Sequence, residues 1–213
     1  MCNLYDIGAT RHPRGDDWEE AIASVLGSLA RSYGIRKTDP APVLRRVGAS
    51  GSQETFAGLM RWGFERDFNP AVNNARLDKL DGPWASAWRE KRRCLIPLSA
   101  WYEWHGPSGS KQTFAFESPD GAWLWAAGLW EEGKSSPSFS MITRPAAPDL
   151  AFVHDRMPAL LSVADFEAFL SNEDPRELLA TTEVPVKVFR CHSPLLKTSP
   201  HRGPEPIEML PGF

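Results

Sequence analysis

Hydrophobic and polar residues recur with two different periods along this chain. Residues 16–34 carry apolar side chains at helical spacing, which predicts an amphipathic helix that Asp16 caps and Gly34 ends. In the middle of the chain, runs rich in aromatic residues are separated by Gly, Pro and Ser, which is typical of strands. These predicted strands cover residues 94–104, 112–117, 122–130 and 138–143. The pattern favours an α+β protein whose centre is a β-sheet.

Shorter elements complete the prediction. Further strands are predicted at residues 43–47, 55–64 and 186–191, the first two joined by a turn at residues 48–51. Short helices are predicted at residues 83–92 and, after the capping residue Ser162, at residues 163–170. Prolines predict a loop at residues 37–42 and an irregular tail from about residue 193. We expect one domain over residues 1–213.

Composition narrows the class of protein. Hydrophobic residues make up 42% of the chain and charged residues 24%, with nine Trp and eleven Phe, which excludes a disordered, collagen-like or coiled-coil protein. A net charge of -3 argues against binding nucleic acid by bulk electrostatics, although it allows a local basic groove. The sequence has neither an apolar run of about 20 residues nor a signal-peptide pattern, so we expect a cytoplasmic protein without a membrane partner.

The cysteines do not form a recognisable framework. Cys2, Cys94 and Cys191 are odd in number and widely spaced, so the sequence predicts neither a disulfide scaffold nor a paired-cysteine zinc site. The five His residues add no metal-ligand spacing. We therefore expect no metal and no cofactor, and we interpret Cys94 and Cys191 as packing residues.

Cys2 is the first candidate for chemistry. A small residue after the initiator Met permits removal of Met1, which would make Cys2 the new N-terminus. Its α-amine, with a pKa near 8, and its thiol, with a pKa near 8.5, would then both be reactive near neutral pH. Such an aminothiol traps an aldehyde first as a Schiff base and then as a thiazolidine ring. The alternative is a small, buried hydrophobic residue in an N-terminal strand.

Glu103 and His154 are candidates for proton transfer. Glu103 lies in the run Trp-Tyr-Glu-Trp at residues 101–104, where aromatic surroundings would raise the pKa of its carboxyl group. His154 follows an apolar run and can exchange a proton between pH 5 and 8. The alternatives are an exposed glutamate at a sheet edge and a structural histidine.

Asn74 and Arg76 lie in a polar stretch before the next predicted helix. The amide of Asn74 could orient a reacting group, and the guanidinium of Arg76 could bind phosphate. Without further context the same stretch is an ordinary loop.

Several motifs occur together in a characteristic order. They are Met-Cys at the start, Arg-Trp-Gly-Phe at residues 61–64, Asn-Ala-Arg at 74–76, Cys-Leu-Ile-Pro at 94–97, the run at 101–104, and His-Asp-Arg-Met-Pro at 154–158. In this order and spacing the chain resembles the SRAP family, the SOS response-associated peptidases, which process abasic sites in DNA. The resemblance implies a curved, barrel-like, mostly antiparallel β-sheet core flanked by helices.

The resemblance also implies a function for these residues. Cys2 would crosslink to abasic sites in single-stranded DNA after self-processing removes Met1, with associated lyase chemistry, and the protein would act as a monomer. The other catalytic residues implied are Asn74, Glu103 and His154. The implied DNA-binding residues are Arg76, Trp62, Phe64, Thr143, Arg156 and Pro40. Where many members carry Arg at position 4 this chain has Leu4, so one phosphate contact is absent.

Two alternatives stay open from the sequence. An N-terminal nucleophile hydrolase, such as a glutamine amidotransferase, also exposes cysteine after processing, but it gives Glu103 no role. A single-stranded nucleic-acid-binding module without covalent chemistry would need Cys2 to be blocked or buried.

Overall fold

The computed structural model describes residues 2–8, 17–29, 32–48, 54–134, 136–171, 174–195 and 200–209. The described helices are α1 (Asp17–Leu26), α2 (Ala85–Arg89), α3 (Phe166–Leu170) and α4 (Arg176–Thr181). The strands are β1 (Leu4–Asp6), β2 (Ile35–Arg36), β3 (Pro40–Val47), β4 (Glu54–Trp62), β5 (Phe64–Arg66), β6 (Asn69–Val72), β7 (Asn74–Arg76), β8 (Arg93–Leu98), β9 (Ala100–His105), β10 (Gln112–Glu117), β11 (Leu124–Glu131), β12 (Ser138–Pro145), β13 (Arg156–Pro158), β14 (Leu160–Leu161), β15 (Lys187–Cys191) and β16 (Pro206–Met209).

Five strands form a closed ring. Around it β12 pairs with β4, β4 with β3, β3 with β8, β8 with β11, and β11 pairs back with β12. All of these pairings are antiparallel except that of β12 with β4, and a ring of this kind leaves none of its five strands as a free edge. The predicted α+β fold with a curved, barrel-like sheet is confirmed.

A second sheet adjoins the ring in the order β16-β15-β10-β9-β1-β2. Strand β9 follows β8 after Ser99 alone, so one continuous stretch of chain passes from the ring into this sheet. One face of β9 turns Trp101 to the main core, whereas the other turns Tyr102 to a smaller apolar cluster that includes Leu4 and Cys191. This alternation places Glu103 on the same face as Trp101, as the period of two predicts.

Gly128 allows the ring to close tightly. It lies on β11 opposite Cys94 of β8. A methyl group at this position would lie 2.9 Å from the Cys94 sulfur and 2.7 Å from the Ile96 side chain, closer than packed atoms approach. The packing interpretation of Cys94 fits this arrangement.

Two predictions based on proline were wrong. The predicted loop at residues 37–42 is partly strand, because β3 begins at Pro40, which pairs with Arg61. The predicted irregular tail contains β16, which pairs with β15 at the sheet edge. Proline is tolerated at the first residue of a strand and on edge strands, where its missing N–H leaves no ladder bond unmade.

The first predicted helix is present as α1, but it ends at Leu26 and not at Gly34, so this predicted end was wrong. Gly27 directly follows Leu26, and glycine disfavours continuation of a helix. The predicted cap Asp16 lies outside the described residues, as does most of the turn at 48–51. The predicted strand over 55–64 breaks at Gly63, whose φ of +115° favours glycine. Ser162 and Asp165 form a capping box, as expected for a helix start at this point. Within the described part of the chain, we find no helix long and apolar enough to cross a membrane.

Candidate active site

The main chain of Cys2 is fixed by two neighbouring asparagines. Asn74 Nδ2 donates to the Cys2 carbonyl oxygen over 2.7 Å, and Asn73 Nδ2 donates to the same oxygen over 3.2 Å. The Cys2 side chain is 1% exposed, and its sulfur lies 3.7 Å from the Leu4 carbonyl oxygen. Cys2, two residues before β1, is therefore held in a fixed position within the main core.

The asparagines are themselves held by the ring. Strand β7 runs parallel to β12, with Asn74 opposite Met141. The Asn73 carbonyl accepts the indole N–H of Trp62 over 3.0 Å and the Met141 amide over 2.9 Å. Asn73 belongs to the polar stretch noted in the sequence, but it was not predicted as a site residue; its place beside Asn74 was the available signal.

Glu103 is a buried carboxyl group. Its side chain is 3% exposed on β9, and it shares a face with Trp101, which stacks on Phe116 with 4.7 Å between ring centroids. Burial raises the pKa of Glu103 to about 7. The prediction of a carboxyl group in aromatic surroundings is confirmed, and the alternative of an exposed edge glutamate is wrong.

The charge of Glu103 acts on the Cys2 thiol. Burial first, and the negative charge of Glu103 second, raise the pKa of the Cys2 thiol well above its usual range. The thiol is therefore neutral at neutral pH. The burial of Cys2 agrees with the packing alternative, but packing alone does not explain a buried carboxyl group whose charge acts on the thiol.

His154 lies between β12 and β13 and is half-buried. The Arg156 amide donates to its Nδ1 over 3.0 Å, so the neutral ring carries its proton on Nε2. The same Nδ1 lies 2.9 Å from Asp155 Oδ1, with which it can pair once it is protonated. Burial lowers the pKa of His154, which favours the neutral ring. His154 therefore has a defined partner for each protonation state.

Two of the predicted DNA-binding arginines share one aspartate. Arg76 donates to Asp78 from Nη2 over 2.7 Å, and Arg156 Nη1 lies 3.3 Å from the same carboxylate. Arg76 lowers the pKa of Asp78 to about 2, so Asp78 is charged at neutral pH. Thr143 is buried and accepts a hydrogen bond from Arg156 on its main-chain carbonyl. Asp78 was not anticipated from the sequence.

The predicted aromatic contacts to DNA are not at the surface. Trp62 and Phe64 are both 0% exposed, so neither offers a ring face on which a base could stack, and this part of the prediction was wrong. Trp62 instead packs edge-on against Tyr5 and holds Asn73 through its indole N–H. Pro40 is exposed at the start of β3.

Two exposed aromatic residues lie close in sequence to residues of the candidate site. Phe68, which is 72% exposed, lies between β5 and β6, in the hairpin that connects the Trp62 end of β4 to Asn73. Phe152, two residues before His154, is also exposed. These two rings, and not Trp62 and Phe64, are presented to solvent.

A strand ring that holds Cys2 beside buried polar groups defines a class of protein. Comparison of the sequence with known families identifies that class. A family model described as SOS response associated peptidase (SRAP) matches residues 1–193. The chain belongs to the SRAP family.

Individual relatives agree with this assignment. The chain is 29% identical over 167 residues to the abasic site processing protein YMR114C of Saccharomyces cerevisiae, a match over 71% of this chain and 43% of that protein. It is 25% identical to the abasic site processing protein YedK of Escherichia coli, over 90% of this chain and 91% of that one. A solved structure from Bacteroides thetaiotaomicron has the same fold, with a TM-score of 0.69 and 19% identity over 93% of this chain and 96% of that chain. The chain thus spans less than half of the yeast relative and most of the bacterial one.

Proposed function

We propose that this chain processes abasic sites in single-stranded DNA by linking covalently to them through Cys2 after removal of Met1, which lies outside the described residues. The observation that carries the proposal is a Cys2 whose main chain is fixed by Asn74 and whose thiol pKa is raised by the charge of Glu103, a buried carboxyl group of pKa about 7. The relatives named as abasic site processing proteins support the choice of substrate. An open abasic site presents an aldehyde, which is the group that an aminothiol traps.

The order of bond formation follows from the protonation of the two nucleophiles. The thiol is neutral because its pKa is raised, so the α-amine of Cys2 attacks the aldehyde carbon first. Loss of one water then gives an iminium ion. The Cys2 sulfur attacks the iminium carbon, the C–S bond closes a thiazolidine, and the thiol proton passes to a base.

We assign these proton transfers to Glu103. With a pKa of about 7, its carboxyl group is partly protonated and partly ionised at neutral pH. The protonated form can donate to the departing hydroxyl group, and the ionised form can accept the thiol proton. We assign His154 to the slower steps, strand cleavage and reversal, because its neutral ring carries a donor at Nε2 and can take a second proton at Nδ1.

Binding before the covalent step is proposed to be weak. The chain carries a net charge of -3, and Asp78 already neutralises part of the charge of Arg76 and Arg156. Exposed Phe68 and Phe152 offer rings on which bases can stack. Pro40 would contact the strand from the start of β3. Salt would therefore slow adduct formation without releasing adduct already formed.

The hydrolase alternative fits the site less well. Such an enzyme needs amide or backbone donors directed at a substrate oxyanion. The side-chain amides of both Asn73 and Asn74 are already directed at the Cys2 carbonyl.

Intact-mass measurement tests the proposal. The protein is incubated with a single-stranded oligonucleotide that carries one abasic site, and with the same strand without the lesion as the control. We expect a protein mass that lacks Met1 and an adduct equal to protein plus oligonucleotide minus one water. An adduct of that mass on the undamaged strand, or none on the damaged strand, contradicts the proposal.

A further inference from the structure

A second cluster of cations lies where the C-terminal end of α2 meets strands β3, β8 and β11. It surrounds a cavity of about 220 Å³ whose polar walls are Arg46, Glu90, Lys91, Arg92 and Arg93. None of these residues belongs to the candidate active site. The volume is smaller than that of pockets that enclose a whole small molecule, so the cavity suits a single small group.

The cavity carries uncompensated positive charge. Arg46 pairs with Glu167, and Arg92 pairs with Glu90. For Lys91 and Arg93 we find no ion pair among the described residues, and only the more distant charge of Asp174 acts on Arg93. A bound anion would supply the missing negative charge.

Arg93 is the most deeply buried of these cations. Its side chain donates to the carbonyls of Phe169 over 2.9 Å and Ser171 over 2.7 Å, and the residue is only 4% exposed. Its Nε finds no acceptor in the described part of the chain. Burial lowers the pKa of Arg93 despite the opposing charge of Asp174, so burial disfavours the charged guanidinium and an anion in the cavity would offset that cost.

Lys91 adopts a backbone conformation that favours glycine. Its φ is +57°, and it directly follows the C-cap Glu90 of α2. The Lys91 amide donates to the Trp88 carbonyl and the Arg92 amide to the Ala87 carbonyl, which together form a Schellman motif. Glycine is the usual residue at this position because a Cβ is disfavoured there. The lysine side chain at this strained position points to a role beyond ending the helix.

An aromatic surface adjoins the cavity. The Arg45 guanidinium carbon lies 4.2 Å from the centroid of the Trp130 ring and 5.0 Å from that of Phe56. Trp130 also lines the cavity, and Phe56 is 43% exposed. Cations interleaved with exposed aromatic rings are typical of surfaces that bind single-stranded nucleic acid.

We propose that this cavity binds a phosphate group of a nucleic-acid strand, with a neighbouring base stacked on Phe56. The inference rests on the proposed function in one respect, namely that the strand is DNA. It adds a contact made by residues outside the Cys2 site, so undamaged strands use it as well as damaged ones. A free nucleotide offers the same phosphate chemistry, and the experiment separates the two sources.

Substitutions at Lys91 test the site because its charge and its backbone strain have opposite consequences. Lys91→Gly removes both, so we expect about fivefold weaker binding of an undamaged oligonucleotide, a salt slope smaller by about 0.7, and a Tm higher by about 2–4 °C. Lys91→Gln removes only the charge and should weaken binding equally with no rise in Tm. Lys91→Arg should retain binding. Lys111→Gln is the control, because it removes one charge from an exposed residue that directly precedes β10 and does not line the cavity.

Fluorescence anisotropy with an undamaged strand reads out binding without any chemistry at Cys2, so failure of this inference and failure of the proposed function are distinguishable. Competition by millimolar inorganic phosphate or dAMP would identify a site that also accepts a free phosphate, whereas its absence would assign the site to strand phosphates. Unchanged affinity in both Lys91→Gly and Lys91→Gln, or an equal loss in Lys111→Gln, would overturn the proposal.

Discussion

Asn74 donates its side-chain amide to the main-chain carbonyl of Cys2 over 2.7 Å. The bond joins two residues 72 positions apart, one at the start of the chain and one on β7 in the ring. It therefore couples the position of the proposed nucleophile to the rigid part of the fold. An α-amine that must reach an aldehyde carbon gains from such positioning, because the nucleophile is held in place before substrate binds.

Loss of the Asn74 amide should slow adduct formation. Asn74→Ala leaves the Cys2 carbonyl with the longer hydrogen bond from Asn73 alone, so we expect about a tenfold lower rate. Asn73→Ala keeps the shorter bond and should have the smaller effect. Rates of adduct formation on a gel, at saturating oligonucleotide, measure both. Equal rates in Asn74→Ala and the unsubstituted protein would show that the hydrogen bond has no part in catalysis.

Glu103→Gln should slow adduct formation by roughly 10²–10⁴-fold if the carboxyl group transfers protons. The same variant has a second readout in the dependence of stability on pH. The folded-state pKa of Glu103, about 7, lies above the ordinary value of 4.5, so the folded protein binds the extra proton between these pH values. Stability is therefore lost as pH rises from 4.5 through 7, by about 3 kcal/mol in total.

Glutamine carries no titrating proton, so Glu103→Gln should lack this loss. Denaturant unfolding at pH 4.5 and pH 8 measures the difference, and Glu20→Gln on the exposed face of α1 serves as the control. A parallel loss of stability in the unsubstituted protein and Glu103→Gln would show that the carboxyl group is ionised throughout this range.

Substitutions of His154 should separate proton transfer from loop structure. His154→Asn keeps an acceptor for the Arg156 amide but cannot exchange a proton, whereas His154→Ala loses both properties. We expect both variants to change strand cleavage or adduct reversal more than initial DNA binding. If His154→Asn matches the unsubstituted protein in both slow steps while His154→Ala does not, the histidine is structural.

Asp78→Asn should strengthen DNA binding. The substitution releases Arg76 and Arg156 from a shared carboxylate and leaves them available to phosphate, so we expect about fivefold tighter binding with a steeper salt slope. Asp81→Asn removes an equal charge from a neighbouring aspartate that pairs with Arg176. Arg76→Ala should weaken binding on every sequence. An equal gain in both aspartate variants would assign the effect to net charge alone.

Local patterns predicted the elements better than their connections. The alternation at residues 101–104 correctly predicted a carboxyl group beside Trp101, because side-chain direction in a strand depends only on the period of two. The indole of Trp62 could not be assigned in this way. Its contact with Asn73 depends on β12, which lies about 80 residues further along the chain and pairs with both β4 and β7.

The proline errors have a related cause. Pro40 and Pro42 lie at the start of β3, ahead of Leu44, where β3 pairs with β8, and β16 lies at the edge of its sheet. Whether a proline interrupts a ladder depends on which neighbours the strand has, and that information is not local. The same holds for Asp78, whose two arginine partners are close in sequence in one case and 78 positions away in the other.

The central claim is that both nucleophiles of Cys2, the α-amine and the thiol, act on one aldehyde. The most direct test measures adduct formation with and without borohydride for the unsubstituted protein, Cys2→Ala and a chain with an uncleaved N-terminal tag. Cys191→Ala is the control, because it removes a buried cysteine of the smaller apolar cluster and leaves Cys2 unchanged. The unsubstituted protein should give an adduct that survives denaturation without reduction. Cys2→Ala should give only a Schiff base that borohydride must trap, and a chain with an uncleaved N-terminal tag should give neither. A stable adduct without reduction in Cys2→Ala, or in the tagged chain, would contradict the account.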